Sequence, residues 1–210
     1  MNHATRHAEL TRKLVISEEL SGEFFVPAYQ RGYRWGESEV VNLLKDIKTG
    51  VVDATTPHSY YLQPIVVMWR DTEGYWELID GQQRLTTLYL ILKCIRDNGW
   101  LPGADVKYRI SYETREESRD YLESLDPELR HANIDFHYIY AAYQAIETWF
   151  GKQADPQQAA IDIRTALAKH VYLLWYEAPE GTDNNDLFRR LNVGRIQLTG
   201  LPRLWLTPDL

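Results

Sequence analysis

The feature that most constrains the fold is the run from Tyr60 to Asp97, in which two β-forming segments are followed at once by a helical one. The segments "YYLQPIVVMW" and "YWELI" are joined by the turn residues "RDTEG", and this pattern predicts a β-hairpin. Apolar residues then recur at helical spacing, at Leu85, Leu88, Leu92 and Ile95. The polar segment "IDGQQRLTT", residues 79–87, therefore lies where a strand ends and a helix begins.

The other patterns complete an α+β fold. The segment "EFFVPAYQ", residues 23–30, mixes β-formers with a proline and predicts a short edge strand or an extended segment. Helical patterns follow at 38–48, with Ser38 as the expected cap, and at 115–125, 134–150, 156–170 and 184–194. Strand patterns follow at 106–112 and 171–178. We expect an α+β core with a small mixed sheet over residues 1–112, and a mostly helical part with one strand over residues 113–199. The second part should complete the same domain, and residues 200–210 form an atypical tail.

Composition favours a soluble protein of a reducing compartment. Cys94 is the single cysteine, so an internal disulfide is excluded. No apolar run approaches the roughly 20 residues that span a bilayer, and the N-terminus lacks the apolar stretch of a signal peptide. We therefore expect a cytoplasmic protein without a membrane partner. The net charge of -7 argues against a surface that coats nucleic acid, although it leaves room for a small basic pocket.

The junction "DGQQR" carries groups that suit a phosphate. The first turn of a helix has unpaired N–H groups and the positive end of the helix dipole. Gly81 permits close approach to the backbone, Arg84 offers a planar fork to phosphate oxygens, and Asp80 is a candidate ligand for Mg²⁺. Together they predict a site for a nucleoside triphosphate with Mg²⁺. The alternative is an ordinary cap and turn, with Arg84 paired to a carboxylate.

A second segment, "PAYQRGYRW", places cationic and amide side chains among aromatic rings. Its candidate ligands are Gln30, Arg31 and Arg34, which alternate with Tyr29, Tyr33 and Trp35. Rings and guanidinium groups in this arrangement suit a stacked base and a clamped phosphate. The alternative is that the rings belong to the core and the arginine stems cover them.

A third segment, "LFRRLNVGRIQLTG", contains the end of the last helical pattern and the turn that follows it. Asn192 lies at the expected helix end, where it is a candidate contributor to the same pocket. Its alternative role is that of an ordinary left-handed cap.

These three segments, in this order, resemble the N-terminal domain of the GmrSD-type, modification-dependent restriction enzymes, which looks related to the ParB/sulfiredoxin fold. The family segment Pro-x-Tyr-Gln-Arg-x-Tyr-x-Trp is matched from Pro27 to Trp35, and Asp-Gly-Gln-Gln-Arg-Leu-Thr-Thr-Leu is matched without a gap from Asp80 to Leu88. The third family segment is matched by Phe188, Leu191, Asn192, Gly194 and Leu198. The resemblance covers roughly residues 10 to 199.

The resemblance implies a domain that binds and hydrolyses nucleoside triphosphates in a phage-defence system. GTP, UTP and CTP are the candidate nucleotides, with Mg²⁺. The implied nucleotide site consists of Asp80, Gly81, Gln82, Gln83 and Arg84, with Gln30, Arg31, Arg34 and Asn192 contributing. Gln82 or Gln83 would orient the attacking water. DNA is the expected target of the full-length system, cut by an HNH-type nuclease region on the same or a partner chain.

Two departures from the family pattern limit this expectation. The chain ends "GLPRLWLTPDL", and its two prolines disfavour the helix that the family has there, which suggests a truncated end. No His-Asn-His arrangement occurs, so we expect no nuclease site in this chain. A homo-oligomer is compatible with the sequence.

The sequence also bears on two other functional classes, a DNA-binding module and a redox enzyme. A DNA-binding module that senses modified DNA without turning over a nucleotide would use the same Arg/Tyr/Trp loop. A redox enzyme of the sulfiredoxin kind would need a thiol just before Arg84, where Gln83 stands, so redox catalysis is excluded.

Overall fold

The computed structural model describes residues 9–56, 58–101, 105–114, 117–179, 181–183 and 186–187. The strands in this part of the chain are β1 (Glu9–Leu14), β2 (Gly22–Val26), β3 (Tyr60–Arg70), β4 (Tyr75–Asp80), β5 (Tyr108–Tyr112) and β6 (Val171–Glu177). The α-helices are α1 (Glu37–Ile47), α2 (Gln82–Asp97), α3 (Ser118–Ser124), α4 (Ile134–Gly151) and α5 (Pro156–Lys169). A π-helical turn, Lys48–Val52, follows α1, and a 3₁₀ turn, Pro127–His131, precedes α4.

The predicted α+β fold is confirmed. The strands form one six-stranded mixed sheet in the order β1-β6-β3-β4-β2-β5. β3 and β4 are the predicted hairpin, and α2 follows β4 after Gly81 alone. β6, which comes from the second half of the chain, lies between β1 and β3, antiparallel to the first and parallel to the second.

Two local expectations were wrong. β2 is not an edge strand, because it pairs with both β4 and β5, and Pro27 stands just beyond its last residue. Ser38 does not cap α1. That helix is capped at Gly36, whose N–H donates to the Glu39 carboxylate at 3.0 Å, three residues into the helix. A glycine in the cap position made this start hard to place from the sequence.

The main core lies between the helices and one face of the sheet. α2 is buried along most of its length, including Lys93, because α4 packs against it as well as the sheet. A second, smaller cluster lies on the opposite face of the sheet, and it consists of the strand residues Val66, Met68 and Ile79 with Ala178, just after β6, and Leu187. The junction after β4 therefore lies between two apolar layers.

Irregular pairing surrounds this junction. Leu62 pairs with Leu173 and Ile65 with Trp175, so two residues of β3, Gln63 and Pro64, face a single residue of β6. A further shift in register occurs where β3 pairs with the end of β4. Bulges of this kind redirect backbone and side-chain groups, and they are frequent beside functional sites.

Candidate functional site

The loop of residues 27–36, here called the arginine loop, lies against the junction of residues 79–87. Nε2 of Gln30 donates to the carbonyl of Leu78 at the end of β4. Nε2 of Gln82 lies 3.4 Å from the carbonyl oxygen of Arg31. The fold thus brings together two segments that the sequence predicts to contribute to one pocket.

Gln83 makes the most complete connection between the two segments. Its Oε1 accepts from the backbone N–H groups of Arg34 at 2.8 Å and Trp35 at 3.2 Å. Its Nε2 donates to the carbonyl of Gly32 at 2.9 Å. Both lone pairs of the amide oxygen are thereby used. Gln83 holds the arginine loop in place, and its oxygen is not available to a water molecule.

Gln82 differs from its neighbour. Its side chain is buried, but within the described residues its Oε1 accepts no hydrogen bond. Gln30 is similar, because its Oε1 is buried and has no partner in that same part of the chain. Two amide oxygens near the junction are therefore available to a water molecule or a ligand.

Tyr33 anchors the arginine loop in the core. It is fully buried, and its hydroxyl lies 2.8 Å from Oγ1 of Thr87. Thr87 Oγ1 donates its single proton to the carbonyl of Gln83, so the Tyr33 hydroxyl must be the donor to Thr87. Burial raises the pKa of Tyr33, which keeps this donor protonated. For this ring the structure supports the core alternative rather than stacking on a base.

Gly81 is required by the backbone and by packing. Its φ of +99° lies in the left-handed region, and a Cβ there would stand 2.4 Å from Cγ2 of Ile65. Since Gly81 has no side chain, it cannot cap α2, and no side chain among the described residues does so in its place. The N–H groups of the first turn, at Gln82, Gln83 and Arg84, are left to another acceptor, and such a helix end favours an anion.

The side chain of Arg84 reaches the part of β3 before Val66, which does not pair with β4. Its Nη1 donates to Oε1 of Gln63 at 3.1 Å, and Nη2 donates to the carbonyl of Pro64; both acceptors lie in the bulge of β3. Oδ2 of Asp80 lies 3.7 Å from Nη2. Burial lowers the pKa of Arg84 and the charge of Asp80 opposes this. Most of the guanidinium is bound to protein acceptors, and only its Nε–H is buried without a partner among the described residues.

Arg34 is paired with a residue that the sequence patterns did not single out. Its Nη1 forms an ion pair with Oδ1 of Asp135, in the first turn of α4, and its guanidinium carbon lies 5.5 Å from the centre of the Tyr138 ring. Asp135 follows the capping residue Asn133 and reads in the sequence as an ordinary acidic residue of a helix start. No local signal could have connected it with a loop 101 residues earlier.

Of the other predicted site residues, Arg31 and Asp80 are accessible to solvent. Arg31 is exposed, and its guanidinium makes no hydrogen bond or ion pair within the described ranges. Asn192 lies outside the described residues. The side chain of Asp80 is 38% exposed. No group of three His, Cys, Asp or Glu side chains able to hold a metal ion occurs in the part of the chain that the structure describes.

Mg²⁺ fits this arrangement only as an ion shared with a ligand. It prefers oxygen ligands, keeps several waters, and is often held by one carboxylate together with substrate phosphates. The accessible carboxylate of Asp80 meets that requirement and would be its single protein ligand from the described residues.

The comparison with known protein families decides the identity of the chain. The family described as the GmrSD restriction endonuclease N-terminal domain matches residues 12–201. The chain belongs to this family. As a GmrSD N-terminal domain it is a module of a restriction system, which ties it to phage defence and to DNA. A search of curated proteins found no match.

The match covers all three segments on which the resemblance rests, including the matched residues of the third, Phe188 to Leu198, which lie outside the described residues. None of the described helices in this GmrSD domain is long and apolar enough to cross a membrane.

Proposed function

We propose that this GmrSD domain binds a nucleoside triphosphate at the junction of β4 and α2, hydrolyses it, and thereby regulates a nuclease region of its restriction system. The observation that carries the proposal is the connection made by Gln83, which holds the arginine loop against the uncapped first turn of α2. Together with the 3.4 Å contact between Nε2 of Gln82 and the carbonyl oxygen of Arg31, this connection places the backbone of the exposed Arg31 beside the first residue of α2.

The three arginines of the site differ in how far they are free to meet a phosphate. Arg34 is neutralised by Asp135, and Arg84 is bound to Gln63, Pro64 and Asp80. Arg31 alone among the three has no acidic partner in the described structure. We therefore assign the main phosphate contact to Arg31, with Arg84 supporting the turn and contributing through its Nε–H.

The proposed chemistry is positioning and charge stabilisation, which dominate phosphoryl transfer. The backbone N–H groups of Gln82, Gln83 and Arg84 would bind phosphate oxygens, and Arg31 would offset their negative charge. Gln82 is better suited than Gln83 to orient the attacking water, because its amide oxygen is available. Asp80 would hold Mg²⁺ by its carboxylate, and the ion would supply further charge neutralisation for the phosphates.

Release of phosphate from GTP, UTP, CTP and ATP with Mg²⁺ tests the proposal. We expect turnover of at least one nucleotide by the wild type, and loss of turnover in Arg31→Ala and Gln82→Ala. Arg109→Ala is the matched control, since Arg109 is an exposed arginine on the edge strand β5 with only a 3.5 Å pair to Glu23. Absence of both turnover and calorimetric binding in the wild type would refute the proposal.

A second candidate is a DNA-binding module that senses modified DNA without nucleotide turnover. It is favoured by the exposure of Arg31 beside the half-buried rings of Tyr29 and Trp35. Binding of modified duplex that weakens steeply with salt, and that is lost in the Arg31→Ala/Arg34→Ala double variant, would support it. Equal DNA binding by the double variant would exclude it.

A further inference from the structure

Asp135 is a buried carboxylate that contacts the arginine loop from α4, whereas Gln83 contacts it from α2. Only 2% of the residue is exposed. It stands in the first turn of α4, where Asn133 caps the helix by accepting from the N–H groups of Asp135 at 3.0 Å and Phe136 at 2.9 Å. The cap fixes the start of the helix, and with it the place of the carboxylate.

The backbone of the arginine loop is in close contact with this carboxylate. A Cβ on Gly32 would stand 2.2 Å from Oδ2 and 2.3 Å from Oδ1 of Asp135. While the carboxylate keeps this place, only a residue without a side chain fits at position 32, so the glycine and the place of the carboxylate depend on each other.

Arg34 joins the two supports of the loop. Its guanidinium pairs with Asp135 on α4, while its backbone N–H donates to Gln83 on α2 at 2.8 Å. The Tyr138 ring lies 5.5 Å from the guanidinium carbon, close enough for a cation–π contact. One residue of the loop thus links the helical second half of the chain to the first turn of α2.

We propose that Asp135 is a positioning residue for the nucleotide site: it fixes Arg34, and through Arg34 and Gly32 it sets the backbone of residues 31–35 that presents Arg31 to the phosphates. The proposal rests on the proposed function of the junction. A buried carboxylate is costly unless it is paired, so a fold that keeps one at this place also fixes the guanidinium that pairs with it. Without Asp135 the guanidinium is released to solvent, and the loop gains conformations that no longer present Arg31.

Calorimetric binding of GTP with Mg²⁺ to the wild type, Asp135→Asn, Arg34→Gln and the double variant tests the proposal. We expect each single variant to weaken binding about tenfold or more, the effect of losing a supporting hydrogen-bond partner at metal sites. We also expect the double variant to bind no more weakly than Arg34→Gln, because residues that act through one contact are not additive. Asp120→Asn is the matched control, an exposed carboxylate in the first turn of α3, and should bind as the wild type does.

Hydrogen exchange separates positioning from a general loss of stability. In Asp135→Asn the amides of Arg34 and Trp35 should exchange faster, whereas those in the middle of α2 should keep their protection. Unchanged affinity in Asp135→Asn, additive losses in the double variant, or a uniform loss of protection would overturn the proposal. Where Asp135→Asn fails to fold, the Arg34→Gln variant decides, since unchanged affinity there also overturns it. A wild type that binds no nucleotide would instead refute the proposed function.

Discussion

Replacing Gln83 by leucine should detach the arginine loop from α2. The side chain makes three hydrogen bonds to loop backbone, at 2.8, 3.2 and 2.9 Å. Leucine is similar in size but has no polar atoms, so the buried Gly32 carbonyl and the N–H groups of Arg34 and Trp35 lose their partner. A buried group left unpaired costs about 1 to 3 kcal/mol, and the N–H groups are only partly buried. We expect a total loss of about 2 to 4 kcal/mol.

The Gln83→Glu variant keeps the acceptor of the amide and removes its donor, so the two contributions can be measured separately. Glutamate still accepts from Arg34 and Trp35, but it cannot donate to the Gly32 carbonyl and would bring an anion against it. We expect a loss of at least about 1 to 3 kcal/mol, the cost of one unpaired buried group, to which the repulsion between the carboxylate and the carbonyl adds. Gln144→Glu is the control, because Gln144 is exposed on α4 and surface changes usually stay within about 0.5 kcal/mol.

Urea unfolding measures both losses. A lower midpoint with an unchanged slope shows a loss of stability without a change in compactness. Hydrogen exchange should show faster exchange at the amides of Arg34 and Trp35 in Gln83→Leu. Should Gln83→Leu be as stable as Gln144→Glu, the connection between loop and helix contributes nothing, and the reasoning about the site fails.

Two further predictions concern the junction and the core. Gly81→Ala should destabilise the domain by about 2 to 5 kcal/mol, from left-handed backbone strain and the contact with Ile65. Gly74→Ala, with φ +75° and open space around it, should lose only about 1 to 2 kcal/mol, so equal midpoints in urea would contradict the packing argument. Burial raises the pKa of Cys94 to about 12. Because the unfolded thiol ionises near 8.5, we expect the free energy of unfolding to fall as pH rises from about 8.5 towards 12, and less steeply in Cys94→Ala. If the free energy of unfolding falls equally steeply with pH in the wild type and in Cys94→Ala, a raised pKa of Cys94 in the folded protein is contradicted.

The hairpin and α2 could be predicted from the sequence because their signals are local. Alternation, turn residues and helical spacing all lie within 38 residues, from Tyr60 to Asp97. The place of β2 inside the sheet could not be predicted, since Pro27 suggests an edge strand and the residues of β2 do not indicate which strands pair with it. Pairing partners are set by the whole sheet.

In the candidate site, too, local signals could be predicted from the sequence and tertiary contacts could not. Its two polar segments were visible in the sequence, and the fold brings them together. The separate roles of the glutamines were not visible, because Gln83 contacts residues 48 to 51 positions earlier. Asp135 was missed for the same reason. A carboxylate in a helix start is common, and only the tertiary structure shows that this one pairs with Arg34.

NMR shows whether a nucleotide binds at the junction of β4 and α2. Backbone amide resonances should be followed while GTP and Mg²⁺ are added to the full chain. We expect the amides of Arg31, Gly81, Gln82 and Gln83 to shift first and most, and Arg31→Ala to abolish these shifts. Shifts confined to another surface, such as the groove between Lys48 and Trp149, or no shifts at saturating nucleotide, would contradict the proposed site.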